Sequence, residues 1–447
     1  MKILLIQPKL HTHVVTPPLG LGYLASTLIN EGHEVKLLDC IAFNIDIFKT
    51  IKEFIPDFIG LTVLTISYNV VINLIKDIKA SGCTAKIVIG GPHVSALPTQ
   101  CLKDTHADFC IIGEGEITFK ELCSNNNYKE INGLAYFNEG VITVNPQREL
   151  IKNINTIPFP AWNIIKPNEY PPTPHGAFYK RFPVAPIITT RGCPYNCTFC
   201  ASKCIWKQKL RVRSAINVVD EIEYLNSEFG IKEFHFEDDN FTFSKVHVVN
   251  VCNEIIKRKL DITWTCPNGV RIDKLDKEII HTMKQAGCYQ LSFGIESGNQ
   301  KILDSINKHL NLKIVPDIIE NIKQEGMTVC GFFIIGLPED TEKTIEDTIN
   351  FALSTKFDRV QFNRFIPLPG TEPFDSWYNE QSDFDWDMTC WQSTYKTVNL
   401  SNDEISKLQQ KAFRKFYLRP KIIFKIIREI KLIQYYWILK RMKDYKM

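Results

Sequence analysis

Short apolar runs rich in Val, Ile, Leu and Phe alternate along the first 125 residues with longer stretches in which apolar positions recur every three or four residues. The first pattern is that of strands buried on both faces, the second that of helices with one buried stripe. Strands are predicted over 2–6, 34–38, 58–61, 86–89 and 109–112, and helices over 19–31, 45–55, 70–81 and 100–105. Gly32 and Gly82 follow the first and third helices, where a left-handed residue ends a helix most easily. Such alternation builds a parallel sheet through right-handed crossovers. A flavodoxin-like, doubly wound α/β domain is therefore expected over residues 1–150, closing with a hairpin that turns at Asn138-Glu139-Gly140.

Eight prolines from Pro158 to Pro186 then interrupt any helix and mark 151–185 as a linker. A second series follows, with strands over 187–190, 233–236, 263–265, 290–293, 329–335 and 359–362. Helices separate them near 215–229, 245–259, 274–286, 299–308, 312–325 and 341–354. Six β/α units are too few for a closed eightfold barrel but suit an open, partial one over 186–375, whose chemistry belongs at the C-terminal ends of the strands. Residues 376–447 form the remaining, C-terminal helical region.

Composition changes this picture little: 44% hydrophobic, 23% charged, Gly 22 and Pro 23 in 447 residues exclude a disordered or low-complexity chain. Charge changes it more. The net +3 conceals twelve Lys and Arg against two acids in 411–447, so the body before the tail is acidic. The start, MKILLIQPKL, has no uninterrupted apolar core or cleavage site of a signal peptide. With fourteen Cys, a reducing, cytoplasmic setting is expected, in which clustered cysteines mean metal or catalysis before disulfides.

Three of those cysteines fall in Thr190-Arg191-Gly192-Cys193-Pro194-Tyr195-Asn196-Cys197-Thr198-Phe199-Cys200, a C-x3-C-x2-C loop after the first strand of the second series. Thiolates are soft ligands that favour zinc or iron–sulfur clusters. Three on one short loop suit a 4Fe-4S cubane with one iron left open, while Cys204 nearby leaves a closed zinc site as the alternative. The loop resembles the cluster motif of the radical S-adenosylmethionine superfamily. That resemblance implies Cys193, Cys197 and Cys200 as cluster ligands, Phe199 against the adenine, and no role for Cys204. Glu237, Asp238 and Asp239 end the second strand, where the family contacts the cofactor's ammonium; a solvated acid cluster is the plainer reading. Glu296 and Ser297, in Ser292-Phe293-Gly294-Ile295-Glu296-Ser297-Gly298, resemble the segment that faces the cofactor's methionine and ribose.

A doubly wound sheet binds ligands outside its strands' carboxyl ends. There the first domain offers Gln7-Pro8, Pro17-Pro18-Leu19-Gly20, Thr62 to Ser67 with Thr65 between them, Gly90-Gly91-Pro92-His93 and Gly113-Glu114-Gly115-Glu116. No G-x-G-x-x-G follows the first strand, against a Rossmann dinucleotide site. The set resembles the cobalamin-binding domain of the cobalamin-dependent branch of the same superfamily, and Gln7, Pro8, Leu19, Gly20, Thr62, Thr65, Ser67, Gly90, Gly91, His93, Gly113, Glu114, Gly115 and Glu116 are its candidate contacts. Asp104-Thr105-His106 comes nearest to the Asp-x-His-x-x-Gly loop that ligates cobalt elsewhere, but lacks the Gly. Cobalt without a histidine lower ligand is expected, with His93 a loop hydrogen-bonder. A flavodoxin-like domain that binds nothing is the plainer reading.

The resemblance implies reductive cleavage of S-adenosylmethionine to a 5′-deoxyadenosyl radical and C-methylation of an unactivated carbon from methylcobalamin. It implies a small-molecule, lipid or peptide substrate and an electron donor such as a flavodoxin or ferredoxin. Relatives of this build also catalyse oxidative cyclisation or ring rearrangement. A methylthiotransferase acting on tRNA would need a second three-cysteine set, whereas Cys40, Cys83, Cys101, Cys110 and Cys123 are scattered; a non-catalytic cobalamin or metal sensor is the third reading. In the tail, Ile423, Ile426, Ile427, Ile430, Ile433 and Trp437 fall at helical spacing with Lys421, Lys425, Arg428 and Lys431 mostly off that stripe. Such a helix packs on its own barrel, lies on an anionic membrane surface or contacts RNA, though basic residues alone do not specify nucleic acid.

Overall fold

Ile3 and Leu5 point to one face of the first strand and Leu4 and Ile6 to the other, and all four are completely buried. The strand β1 (Lys2–Gln7) is therefore central, with a core on each side. In the computed structural model, which describes residues 1–10, 12, 15–172, 179–378, 386, 389 and 393–429, it is followed by α1 (Leu19–Asn30), β2 (Glu34–Asp39), α2 (Ile47–Phe54), β3 (Phe58–Thr62), α3 (Tyr68–Ala80) and β4 (Lys86–Gly90). Next come α4 (Pro92–Ala96), α5 (Pro98–Thr105), β5 (Phe109–Ile111), α6 (Gly115–Ser124), β6 (Leu134–Asn138), β7 (Val141–Val144) and α7 (Trp162–Ile165). The sheet runs β2-β1-β3-β4-β5-β6-β7, parallel through β5 and antiparallel beyond it. This is the doubly wound order, with its switch point between β1 and β3.

The helices α4 and α6 were not among those predicted. Pro92 supplies the first turn of α4 and stands where no amide hydrogen is needed. Gly115 opens α6, and a Cβ there would sit 3.1 Å from Leu24 of α1; contact between the two helices decides the element.

The second series begins with β8 (Val184–Ile187) and β9 (Thr190–Arg191), where one strand over 187–190 was predicted. β8 lies at the edge of its sheet, the place where a strand tolerates Pro186. Then follow α8 (Lys203–Trp206), β10 (Arg211–Val212), α9 (Ala215–Phe229), β11 (Glu233–Phe236), α10 (Lys245–Lys257), β12 (Thr263–Val270), α11 (Lys277–Gln285) and β13 (Cys288–Glu296). The chain continues through α12 (Gln300–Ser305), α13 (Val315–Gln324), β14 (Thr328–Ile335), α14 (Glu342–Ser354), β15 (Arg359–Arg364), α15 (Glu372–Tyr378), α16 (Asn402–Tyr417) and α17 (Pro420–Glu429). The sheet β15-β14-β13-β12-β11-β8 is wholly parallel and open, the expected six-unit partial barrel. Trp264, Phe293, Phe333 and Phe362 are fully buried along its strands, each contributing roughly 1.5–3 kcal/mol of apolar burial.

The chain forms two compact units whose borders do not follow sequence order. The first takes Met1–Pro171 together with Ala201–Lys207 and the described residues of Leu368–Asp387; the second takes the remaining described chain. The stretch after the linker's start is not free chain: Tyr170 donates to Asp39 across 2.9 Å.

Of the tail, α17 is described and residues 430–447, with Ile430, Lys431, Ile433 and Trp437, lie outside the described residues. Ile422 is buried, and Lys425 pairs with Asp358, which Lys323 also holds at 2.6 Å. Ile423, Phe424 and Ile427 are 41%, 65% and 57% exposed. No helix among the described residues is long and apolar enough to cross a membrane.

Candidate functional site

The cysteine loop leaves the sheet through Thr189 and Thr190. Asp238, just past the end of β11, accepts from the Thr189 amide at 3.1 Å, the Thr189 hydroxyl at 2.8 Å, the Thr190 hydroxyl at 2.5 Å and the Thr190 amide. His247 Nε2 lies 2.9 Å from the Thr189 hydroxyl, and Arg213 donates to the Ile188 carbonyl at 2.7 Å. The short ladder of β9 with β10 then brackets the loop, and Gly192, at φ 94°, makes the turn into Cys193.

The far side of the loop is held from the C-terminal ends of later strands. The Thr198 amide donates to the Ile306 carbonyl at 3.1 Å, and the Arg271 guanidinium stacks 3.9 Å above the Tyr195 ring. Arg271 in turn donates to the Lys308 and His309 carbonyls and pairs with Asp273. Burial pushes the Cys193 and Cys197 thiols up; Lys308 and Arg271 pull Cys197 back toward the thiolate, and Lys308 acts likewise on Cys193. A cation pair beside a thiol loop suits the negative charge of a thiolate-bound cluster.

Among the described residues no three His, Cys, Asp or Glu side chains are gathered tightly enough to hold one metal ion. Three thiols on the loop are one short of the four protein ligands that close a structural zinc site. Each cysteine of a cubane binds a different iron, so three thiols on one short loop suit that group. Cys204 belongs to the first unit, and its sulfur lies 3.6 Å from the Pro369 carbonyl.

The three acids after β11 continue the in-and-out alternation of a strand. Glu237 is half-buried and Asp239 exposed, whereas Asp238 is 2% exposed and committed to the loop; burial lifts its carboxyl to about 6 despite the threonine donors. Asp238 thus holds the start of the cysteine loop, whereas Glu237 accepts from Asn268 at 2.6 Å and Asp239 faces out from the strand end. Glu296 ends β13 in the left-handed region, φ 68°, with its Oε1 held by Lys308 at 2.7 Å. Ser297 bonds Thr348 of α14 at 3.0 Å and is 1% exposed, so it ties strand to helix. Phe199 is half-buried on the cysteine loop.

In the first unit the predicted loops cluster at the carboxyl ends of β1, β3, β4 and β5. Gly91, at φ 109°, lets the β4 loop meet Val63 backbone to backbone; a Cβ there would lie 2.9 Å from the Val63 carbonyl. Ser95 accepts from the Gly113 amide at 2.9 Å and donates to the Gly91 carbonyl, joining the β4 and β5 loops. Ser67 caps its own turn at Leu64, and Glu114 accepts from the Ile151 amide at 2.9 Å. Glu116 is buried and Thr62, Thr65 and Gln7 are half-buried, while Pro8 and Leu19 are buried. A Cβ on Gly20 or Gly113 would meet nothing within 4 Å. These two bare positions suit close approach of a large planar ligand.

His93 does not face outward from this cradle. It is 1% exposed, its Nδ1 lies 3.2 Å from the Thr65 hydroxyl, and its ring packs 4.2 Å from Tyr68 and 4.8 Å from Trp386. Burial lowers it to about 4, so it is neutral. Asp104 is engaged by Tyr68 at 2.9 Å and by Gln100, and His106 only terminates α5. Lys308, Arg271 and Asn240 carried no spacing signal in the sequence; parallel register alone brings them beside the cysteines.

Two family models match the chain. The radical SAM superfamily covers residues 187–352 and the B12 binding domain residues 10–123. An uncharacterized methyltransferase of Pyrococcus horikoshii is 34% identical, spanning 96% of this chain and 95% of its own. Cytidylyl-2-hydroxyethylphosphonate methyltransferase of Streptomyces wedmorensis is 32% identical over 94% of this chain and 90% of its own. The solved radical S-adenosylmethionine methyltransferase TsrM of Kitasatospora setae shares the fold, with a TM-score of 0.69 at 19% identity over 82% of this chain and 74% of its own.

Proposed function

The chain belongs to the radical S-adenosylmethionine superfamily, in the branch that carries a B12-binding domain, and from that premise we propose that it is a methyltransferase acting on an unactivated carbon of a small molecule. Cys193, Cys197 and Cys200 hold the 4Fe-4S cluster; Phe199, Glu237, Asp239 and Glu296 meet S-adenosylmethionine. The loops at Gln7, Leu19-Gly20, Thr62, Gly90-Gly91 and Gly113 take cobalamin. When bound, these groups supply single-electron chemistry and a methyl carrier.

The protein's own part is positioning and exclusion of water. Asp238 and Arg213 set where the thiol loop leaves the sheet. Lys308 and Arg271 lay positive charge beside Cys197, and Lys308 fixes Glu296 at the end of β13. The observation that carries the reading is this assembly of thiol loop, cations and acids at the carboxyl end of an open parallel sheet, in a chain whose first domain has the bare-glycine cradle. One methyl-carrying and one radical-forming site fit methylation of a carbon that has no lone pair to attack with. A small-molecule substrate and a one-electron reductant follow; a lipid or peptide substrate and a flavodoxin or ferredoxin donor are the finer forms of the proposal. We propose in addition that α17, with Ile423, Phe424 and Ile427 exposed beside Lys421 and Arg428, meets an anionic lipid surface.

The test is anaerobic reconstitution with iron, sulfide and hydroxocobalamin, followed by reductant and S-adenosylmethionine. Expected products are 5′-deoxyadenosine and, only with cobalamin present, S-adenosylhomocysteine. Absence of 5′-deoxyadenosine from the wild type, or its persistence in Cys197→Ala, overturns the radical reading. Deoxyadenosine without cobalamin-dependent S-adenosylhomocysteine turns it toward cyclisation. Methylthio transfer finds no second three-thiol site among the described residues: Cys40, Cys101, Cys110 and Cys123 are buried on four different elements or their ends.

A further inference from the structure

Asn240 follows the acids of β11 by one position and is 1% exposed, yet its amide Nδ2 has no hydrogen-bond partner among the described residues. A buried donor left without an acceptor costs on the order of 1–3 kcal/mol, so such a group marks a place where something is missing. The other end of the same amide faces Thr242: Oδ1 lies 3.4 Å from the Thr242 hydroxyl, whose single proton is shared between it and the Arg271 carbonyl at 3.0 Å. Nδ2 is thereby turned away from Thr242.

The first thiol of the loop is its neighbour. The Tyr195 ring packs 6.1 Å from Phe243, edge on, so the loop and the segment after β11 are in contact. The Asn240 amide lies within reach of the Cys193 sulfur, though the pair is not aligned as a hydrogen bond with the thiol as it stands. Beside the Tyr195 amide, which also reaches Cys193, Lys308 is held by Glu296 and Arg271 by Asp273 and two carbonyls.

We propose that Asn240 donates its Nδ2–H to the Cys193 sulfur once that sulfur ligates the cluster, and that this hydrogen bond raises the cluster's reduction potential. The proposal rests on the reading of Cys193 as a cluster ligand. A hydrogen bond to a ligating sulfur withdraws electron density from it and favours the more electron-rich, reduced cluster. Two residues of one strand end then act on one loop in different ways, Asp238 on its course and Asn240 on its electronics.

The experiment is a redox titration of the reconstituted protein, without S-adenosylmethionine, followed by the electron paramagnetic resonance signal of the reduced cluster. Asn240→Leu keeps the branched skeleton and removes the donor; Asn240→Asp keeps the shape and replaces the donor by an acceptor. At the potential where wild type is half reduced, the reduced-to-oxidised ratio falls about tenfold in Asn240→Leu, a midpoint about 59 mV lower for one electron, and further in Asn240→Asp. Wild-type midpoints in both variants overturn the proposal. So does a pair of variants that fail to fold, or that fold by circular dichroism and hold no iron, because a residue that only tunes the cluster is not needed for either. If wild type itself takes up no cluster, the cysteine reading falls first and this one with it.

Discussion

The Asp238 carboxylate grips Thr189 twice, at its amide and at its hydroxyl, 3.1 and 2.8 Å away, and it does the same to Thr190. Asp238→Asn keeps the shape but turns one acceptor oxygen into a donor facing those groups. The second unit is expected to lose about 2–4 kcal/mol, on the scale of unsatisfied buried donors. Iron retained after reconstitution drops well below wild type while cobalamin retention, which belongs to the other unit, stays. Denaturant unfolding and metal analysis of one preparation check both. Unchanged iron at lowered stability would separate Asp238 from the loop.

Burial of His93 sets a pH dependence whose direction is fixed. Its folded-state value is depressed from 6.5 to about 4, so the neutral ring's contribution stands in full above pH 6.5 and is lost as pH falls toward 4. At pH 4.5 the cost is about 2–3 kcal/mol relative to pH 8. His93→Phe keeps a ring between Tyr68 and Trp386 and cannot be protonated. The variant is expected to match wild type within about 1 kcal/mol at pH 8 and to exceed it near pH 4.5. His247, also held near 4 by burial, is common to both proteins and cancels in the difference. The same variant, loaded with cobalamin and reduced by one electron, keeps the cobalt resonance of wild type; a changed nitrogen splitting would make His93 a ligand after all.

Both sheets were legible in the sequence because period and punctuation agree there: Ile3 to Ile6 are buried on two faces, and α9 runs over 215–229 as its pattern predicts. The cysteine loop was legible through its spacing. What was not legible depends on contacts between distant residues. Asp238 and Glu237 are adjacent acids in sequence, and only the alternation beyond β11 turns one inward. Ser297 looks like a ligand contact until Thr348, fifty-one residues on, bonds it. Lys308 follows a helix that spacing placed too long, and no local pattern could pair it with Glu296. Ala201–Lys207 joins the first unit although it follows the last cluster cysteine, a partition that composition does not record.

Two glycines of the candidate sites separate packing from binding. At Gly298 a Cβ would lie 2.5 Å from Phe351 Cβ and 2.7 Å from the Thr348 backbone, and α14 cannot yield without moving. Gly298→Ala is expected to cost about 1–3 kcal/mol. At Gly20 nothing lies within 4 Å and the residue sits in the first turn of α1, so Gly20→Ala leaves the apoprotein as stable or up to about 1 kcal/mol more so. The two are expected to cross over in cobalamin retention after desalting, with Gly20→Ala reduced and Gly298→Ala unchanged at temperatures where it is folded. Full retention by Gly20→Ala would remove that loop from the cradle.

On α17 the side chains divide by role. Ile422 is buried and Lys425 is held by Asp358, which docks the helix on its own unit, while Phe424 and Ile427 stay exposed beside the exposed Lys421 and Arg428. An exposed aromatic and aliphatic pair flanked by cations gains from an anionic interface twice, through apolar burial and through roughly 1 kcal/mol per basic residue near the charged surface. The full chain is expected to float with vesicles containing anionic phospholipid and to remain behind with neutral ones. Phe424→Glu with Ile427→Glu abolishes flotation without loss of folded structure, because neither side chain supports the core, and raising salt weakens the wild type in the same assay. Equal recovery of wild type with neutral and anionic vesicles, or of the variant with wild type, would leave α17 as a packing helix alone.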